Sequence, residues 1–317
     1  MNPIPDTFFT TSPHWGWYIV LYFFVGGIAG GCCFLAGLLH FFGGPEDRPT
    51  IRAGYVIGLI GAVLSALLLT LDLTKPLRFW HMILMSHRGA PLFKPWSPMS
   101  VGAWGLLVFG GVTLMGTLGA LGETRSRWRG AAWLARGLPG ALLAGSSALL
   151  GLFVAGYTGV LLAVTNRPIW AESPLLGALF LCSGVSTAAA TLLLLRQRIG
   201  QAESTGRWLT GYDRRLLALE LVLLVGFLFS LGQVARVWIG WTGGVLLLGV
   251  VGAGIVAPAL LEARSWRGEP PAREVATRPR PGWLVPGLVL LGGFLLRLVV
   301  IAASSRIEPV VSRSSGP

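Results

Sequence analysis

The sequence predicts an all-α integral membrane protein with eight transmembrane helices, and three observations carry that reading. Charged residues make up 12% of the chain and hydrophobic residues 53%, with mean hydropathy +0.69. Soluble domains carry about 25% charged residues, so half that value places most of the surface against lipid. The apolar residues fall in long runs that lack the period-2 alternation of a membrane barrel. Finally, Lys and Arg gather in the short segments between the runs, where topology accounts for the net charge of +12 without nucleic acid.

A helix needs about 20 apolar residues to cross the ~30 Å hydrocarbon core. Eight runs meet that length: 16–42, 53–73, 99–121, 138–163, 174–195, 216–235, 239–261 and 283–302. The first run follows Met-Asn-Pro-Ile-Pro-Asp, which has no basic stretch, and is read as a true span with no cleaved signal peptide. The sixth and seventh runs are separated only by a short break at Arg236. The 45 glycines suit helices that pack closely through small residues. Segments 196–215 and 262–281 read as polar connectors, and no extramembrane stretch is long enough for a catalytic domain.

Counting Lys and Arg sets the orientation. Segments 43–52, 122–137, 196–215 and 262–281 hold 16, against 8 in the segments on the other side. The first set is expected in the cytoplasm. Both termini then lie outside it, and the protein is expected in the cell inner membrane. Cys32, Cys33 and Cys182 all lie in apolar runs without a C-x-x-C, so no metal site, iron–sulfur cluster or disulfide framework is expected in this chain. The histidines are His14, His40, His81 and His87, and none forms a mid-membrane axial pair, so no haem is expected either.

Ionisable groups in or beside membrane spans are costly and by default are functional candidates. Here they concentrate toward the outer side: Tyr22 in the first span, Asp72 ending the second, Tyr157 late in the fourth, Arg236 closing the sixth and Arg297 within the eighth. A quinone headgroup needs hydrogen-bond donors for two oxygens and a proton route, which tyrosine, histidine and a carboxylate supply. A pocket lined by Tyr22, Asp72, His81 and Tyr157 meets those needs. Plainer roles are also open: the tyrosines suit an aromatic belt, and Asp72 suits a helix-end pair with Lys75 or Arg78. Arg236 reads as an interfacial residue. Arg297 is flanked by apolar residues and is expected to face an acid, with Asp72 the first candidate. Glu220 lies nearer the cytoplasmic end, where solvation accounts for it as readily as a proton path.

Five motifs then carry a resemblance. They are His14-Trp15-Gly16-Trp17 with the Gly-rich segment 25–31; Asp72-Leu73-Thr74-Lys75-Pro76-Leu77-Arg78-Phe79-Trp80-His81; Ser97-Pro98-Met99-Ser100 with Gly102-Ala103-Trp104-Gly105; Gly156-Tyr157-Thr158-Gly159 with Arg167-Pro168-Ile169-Trp170; and Leu296-Arg297-Leu298-Val299-Val300. In this order the chain resembles the NrfD/PsrC family, the quinone-reactive membrane subunits of polysulfide reductase-like complexes. The resemblance implies two four-helix bundles, divided here as residues 1–163, with the main quinone-site motifs, and 164–317. It implies no haem, a quinone (menaquinone or ubiquinone) near the outer, periplasmic face, and an iron–sulfur subunit with [4Fe–4S] clusters docked there. That partner would connect to a molybdenum enzyme or a multihaem cytochrome. The family's quinone-contacting tyrosine maps onto Tyr157 through the Tyr-x-Gly motif, and its first-span histidine position is Tyr22 here, a departure from the pattern. Tyr22, Tyr157 and Arg78 are thus expected to contact quinone, and Asp72, His81 and Arg297 to manage protons and charge. A secondary transporter or ion-translocating protein is the rival. Such a site is expected near the midplane on interrupted helices.

Overall fold

The computed structural model describes residues 15–85, 89–266 and 282–305. His14, His87, most of segment 262–281 and the ends of both tails lie outside the described residues, so the reading of the termini rests on the sequence alone.

The chain is almost wholly helical: α1 (Trp17–Phe42), α2 (Arg48–Asp72), α3 (Pro98–Gly122), α4 (Gly137–Ala163), α5 (Leu175–Leu194), the short α6 (Arg196–Ile199), α7 (Glu203–Ser230), α8 (Trp241–Gly244), α9 (Ala257–Trp266) and α10 (Leu284–Ser305). A π-helical stretch, Val245–Val256, joins α8 to α9 as one continuous rod. Seven helices among the described residues are long and apolar enough to cross a membrane, with the rod Trp241–Glu262 counted as one.

Local chemistry sets the helix ends. Ser97 caps α3 by accepting from the Ser100 N–H, and Pro98 occupies the first helical position, where its missing N–H costs nothing. Asp47 accepts the Gly44 N–H at 2.8 Å and fixes the turn into α2, which therefore starts at Arg48 rather than near residue 53. Between α2 and α3 the chain makes a 3-10 turn, Pro76–Met82, and a small antiparallel hairpin pairing Leu84–Met85 with Ala90–Pro91.

The larger departure from the sequence reading is α7. Segment 196–215 reads as a polar connector, yet helix begins at Glu203 and runs 28 residues to Ser230. Trp208 stacks on Tyr212 one turn later, with centroids 5.3 Å apart, and Thr205 donates to Asp47. Those contacts hold a charged turn in helical form that apolar periodicity does not reveal. Asp213, Arg214, Arg215 and Glu220 leave α7 outside the seven apolar spans.

Neighbours in sequence pack antiparallel. α1 lies against α2, α4 and α5, and α5 lies against α1, α4, α7 and α10. These two are the interior helices: their most apolar windows are 72% and 78% buried, against 28–50% for the other spans. α1 and α4 cross at Gly30 and Gly151. A Cβ on Gly30 would stand 2.3 Å from the Gly151 carbonyl oxygen, so only glycine permits this approach.

One end of the molecule carries the start of α1 and the ends of α2, α4 and α10. There Trp15 stacks on Trp170 at 5.1 Å, the Trp170 indole N–H donates to the Val300 carbonyl, and Arg167 donates to Ser304. Arg48, Arg136 and Glu123 meet at the opposite, arginine-rich end.

Candidate functional site

Tyr22 and Tyr157 come together near the first of these ends. Tyr22 is 4% exposed and Tyr157 9%, and the two are close enough to interact electrostatically. Tyr22 sits one to two turns into α1, tilted against Phe23. Tyr157 sits a similar distance from the end of α4, stacked on Phe153. Its hydroxyl donates to the Pro98 carbonyl at the start of α3. Gly102 opposes the Tyr157 ring so closely that a Cβ there would stand 2.3 Å from it. The Gly102-Ala103-Trp104-Gly105 motif thus has a physical reason: it makes room for the phenol.

Ser65, on α2, is the residue that sequence reasoning missed. It is fully buried, and its hydroxyl has no hydrogen-bond partner. Gly26 of α1 places it: a Cβ there would lie 3.5 Å from Ser65 Oγ and 3.6 Å from the Tyr22 ring. An orphaned hydroxyl in an apolar interior costs about 1–3 kcal/mol. No sequence signal marks it, since a serine inside an apolar run normally bonds to its own helix.

Asp72, Arg78 and His81 occupy the same end but are not drawn into this cluster. Asp72 is half-buried at the last residue of α2. Arg78 is exposed on the Pro76–Met82 turn. His81 is half-buried, stacked on Trp80 at 3.7 Å, with its Nδ1 3.1 Å from the Arg78 carbonyl. All three form a rim, more open to the surface than the tyrosines. Arg236 is exposed, as an interfacial residue would be.

Arg297 is fully buried. Its guanidinium donates to the Phe23 carbonyl at 3.0 Å, Ser183 Oγ at 3.2 Å and the Gly293 carbonyl at 2.7 Å, and lies 5.3 Å from the Phe180 ring centre. The buried acid nearest to it in effect is Glu220 of α7, not Asp72: Arg297 and Glu220 share Ser183 as a hydrogen-bond partner. Glu220 is 4% exposed and lies beside Ser183, so it is not the solvated residue that its place in the sequence suggested. One to two turns further on, Asp213 is 1% exposed and accepts from Ser186 Oγ at 2.6 Å, within electrostatic reach of Glu262. A series of buried polar groups therefore runs from Arg297 toward the arginine-rich end. Among the described residues, no group of three or more His, Cys, Asp or Glu is placed to hold a metal ion.

A multi-pass helical membrane protein with buried tyrosines near one end and a buried arginine and glutamate joined through a serine is the class that this architecture defines. The family model described as "Polysulphide reductase, NrfD" matches residues 6–308, and the chain belongs to that family. It is 28% identical over 271 residues to the polysulfide reductase subunit PsrC of Wolinella succinogenes, covering 78% of this sequence and 82% of that one. It is 29% identical over 272 residues to the NrfD protein of Escherichia coli, covering 78% and 84%. A Haemophilus influenzae NrfD homolog is 25% identical over 281 residues, covering 81% and 85%.

Proposed function

We propose that this chain is the membrane anchor and quinone/quinol-reactive subunit of a multisubunit respiratory oxidoreductase, exchanging electrons with an iron–sulfur partner bearing [4Fe–4S] clusters. The observation that carries the reading is three buried hydroxyl side chains on neighbouring helices, Tyr22 and Ser65 beside Gly26 and Tyr157 beside Gly102. The residues suit a quinone in kind, since the unpartnered Ser65 Oγ and the Tyr22 phenol are hydrogen-bond donors in apolar surroundings and a quinone ring has two carbonyl oxygens to accept from them.

A bound quinone would supply two-electron, two-proton redox chemistry. Tyr22 and Ser65 would orient it from α1 and α2. Tyr157 has one proton and spends it on the Pro98 carbonyl, so donating to a ligand requires its hydroxyl to turn away from α3. Asp72 and His81, half-buried at the same end, would pass protons between water and the buried hydroxyls, with exposed Arg78 contacting the quinone from the same segment. Arg297, through the Phe23 carbonyl, would fix the α1 turn that carries Tyr22.

The excess of Lys and Arg at the opposite end supports a reading in which the tyrosines lie toward the outer, periplasmic face of the inner membrane. That assignment takes α7 as an eighth span, with Asp213 and Glu220 buried against its neighbours, and groups the helices into two four-helix sets divided after residue 163. The partner would dock on the 3-10 turn and hairpin between α2 and α3, and would connect to a molybdenum enzyme or a multihaem cytochrome. A second reading, as a proton- or ion-translocating protein, is favoured by the buried Arg297–Glu220–Asp213 series and by the π-helical stretch within the rod Trp241–Glu262.

The test is Tyr157→Phe in the intact complex. Quinone-linked turnover should fall by about 10²-fold or more, the usual weight of a positioned proton donor, with subunit assembly and membrane level unchanged. Turnover at the wild-type rate would overturn the assignment.

A further inference from the structure

At the arginine-rich end a cavity of about 270 Å³ lies between the end of α1, the first turns of α2 and the facing ends of α3 and α4. Its polar wall is His40, Arg48, Arg52, Tyr55 and Glu123, and its apolar wall includes Leu39, Ile51, Leu134 and Leu143. Glu123 is already matched, 3.1 Å from Arg48 and 3.5 Å from Arg136. Tyr55 is held in the floor by its 3.3 Å bond to Ser147. Arg52 is different: its Nε is buried and has no hydrogen-bond partner. A buried guanidinium N–H without an acceptor is costly, and an anion in the cavity would relieve it. With Arg48 and Arg52 against the single carboxylate of Glu123 in its wall, the cavity favours negative charge.

We infer that this cavity binds a phosphate group, with Arg52 and Arg48 as its donors. Guanidinium groups match phosphate oxygens in pairs, and basic pockets between membrane helices at the cytoplasmic side take anionic headgroups. The surroundings favour a phospholipid as the source. Phe42 and Leu138, just outside the cavity, are 84% and 71% exposed and would lie along acyl tails. The same donors would also take a soluble phosphate.

Native mass spectrometry of the delipidated full-length protein, with any subunits that co-purify, tests this. The probes are phosphatidylglycerol, phosphatidylcholine with the same acyl tails, and inorganic phosphate without lipid. Phosphatidylglycerol should bind best, with an apparent Kd roughly tenfold weaker in Arg52→Gln, the loss of one charged hydrogen bond. Arg48→Gln should weaken binding in the same direction. Arg236→Gln, an exposed arginine at the other end, should leave it unchanged. Inorganic phosphate binding that depends on Arg52, without a preference for the anionic lipid, would support the site and name a soluble source. Equal phosphatidylglycerol binding by wild type and both cavity variants, or equal loss in Arg236→Gln, would overturn it. Arg52→Lys keeps the charge and separates loss of the site from loss of folding.

Discussion

At the scale of single residues, the tyrosine cluster is built from groups whose hydrogen bonds are incompletely or internally spent. Ser65 is buried with no partner, and Tyr157 is tied to a backbone carbonyl. Removing an unsatisfied hydroxyl relieves a folding cost. Ser65→Ala should therefore raise the thermal stability of the purified protein by about 1 kcal/mol while weakening quinol oxidation, seen as a KM increase in a steady-state assay. A destabilised variant with normal kinetics would show that Ser65 is an ordinary core residue. Tyr157, Tyr22 and Arg297 stood out in the sequence because ionisable or phenolic groups are rare in apolar runs. Ser65 did not, since Gly26, the neighbour that brings it toward Tyr22, lies on another helix. Arg297 drew attention for the right reason, but its acid did not: Glu220 is brought to it by the packing of α7 on α5, which no local pattern encodes.

At the scale of elements, seven apolar helices were legible because length and hydropathy suffice to write a span, and their ends moved by only a few residues once caps were placed. The start of α7 was not legible. Its first three turns carry Arg207, Asp213, Arg214 and Arg215 and read as a loop, yet contacts with Asp47 and a Trp208–Tyr212 stack keep them helical. The crossing of α1 and α4 depends on Gly30 meeting Gly151. Gly30→Val should drive the pair apart at a cost of about 1–3 kcal/mol, measured as a lower melting temperature in detergent. A valine variant as stable as wild type would mean that the helices do not approach this closely.

At the scale of the whole molecule, the topology turns on whether α7 crosses the bilayer. Cys32, Cys33 and Cys182 are all buried, so background thiol labelling should be low. Single cysteines at Ser126 and Ile239 should react with a membrane-impermeant maleimide from opposite sides, Ile239 from outside the intact cell and Ser126 only after lysis. Labelling of both from one side would remove α7 from the spans. The order in which the helices are made adds a consequence. The cation that faces Glu220 arrives with α10, and its bond to the Phe23 carbonyl joins positions 274 residues apart. Until the ribosome delivers that last segment, Glu220 of α7 lacks the buried cation that shares Ser183 with it. The final helix therefore works as a keystone: its arginine closes a polar junction that the earlier helices leave open.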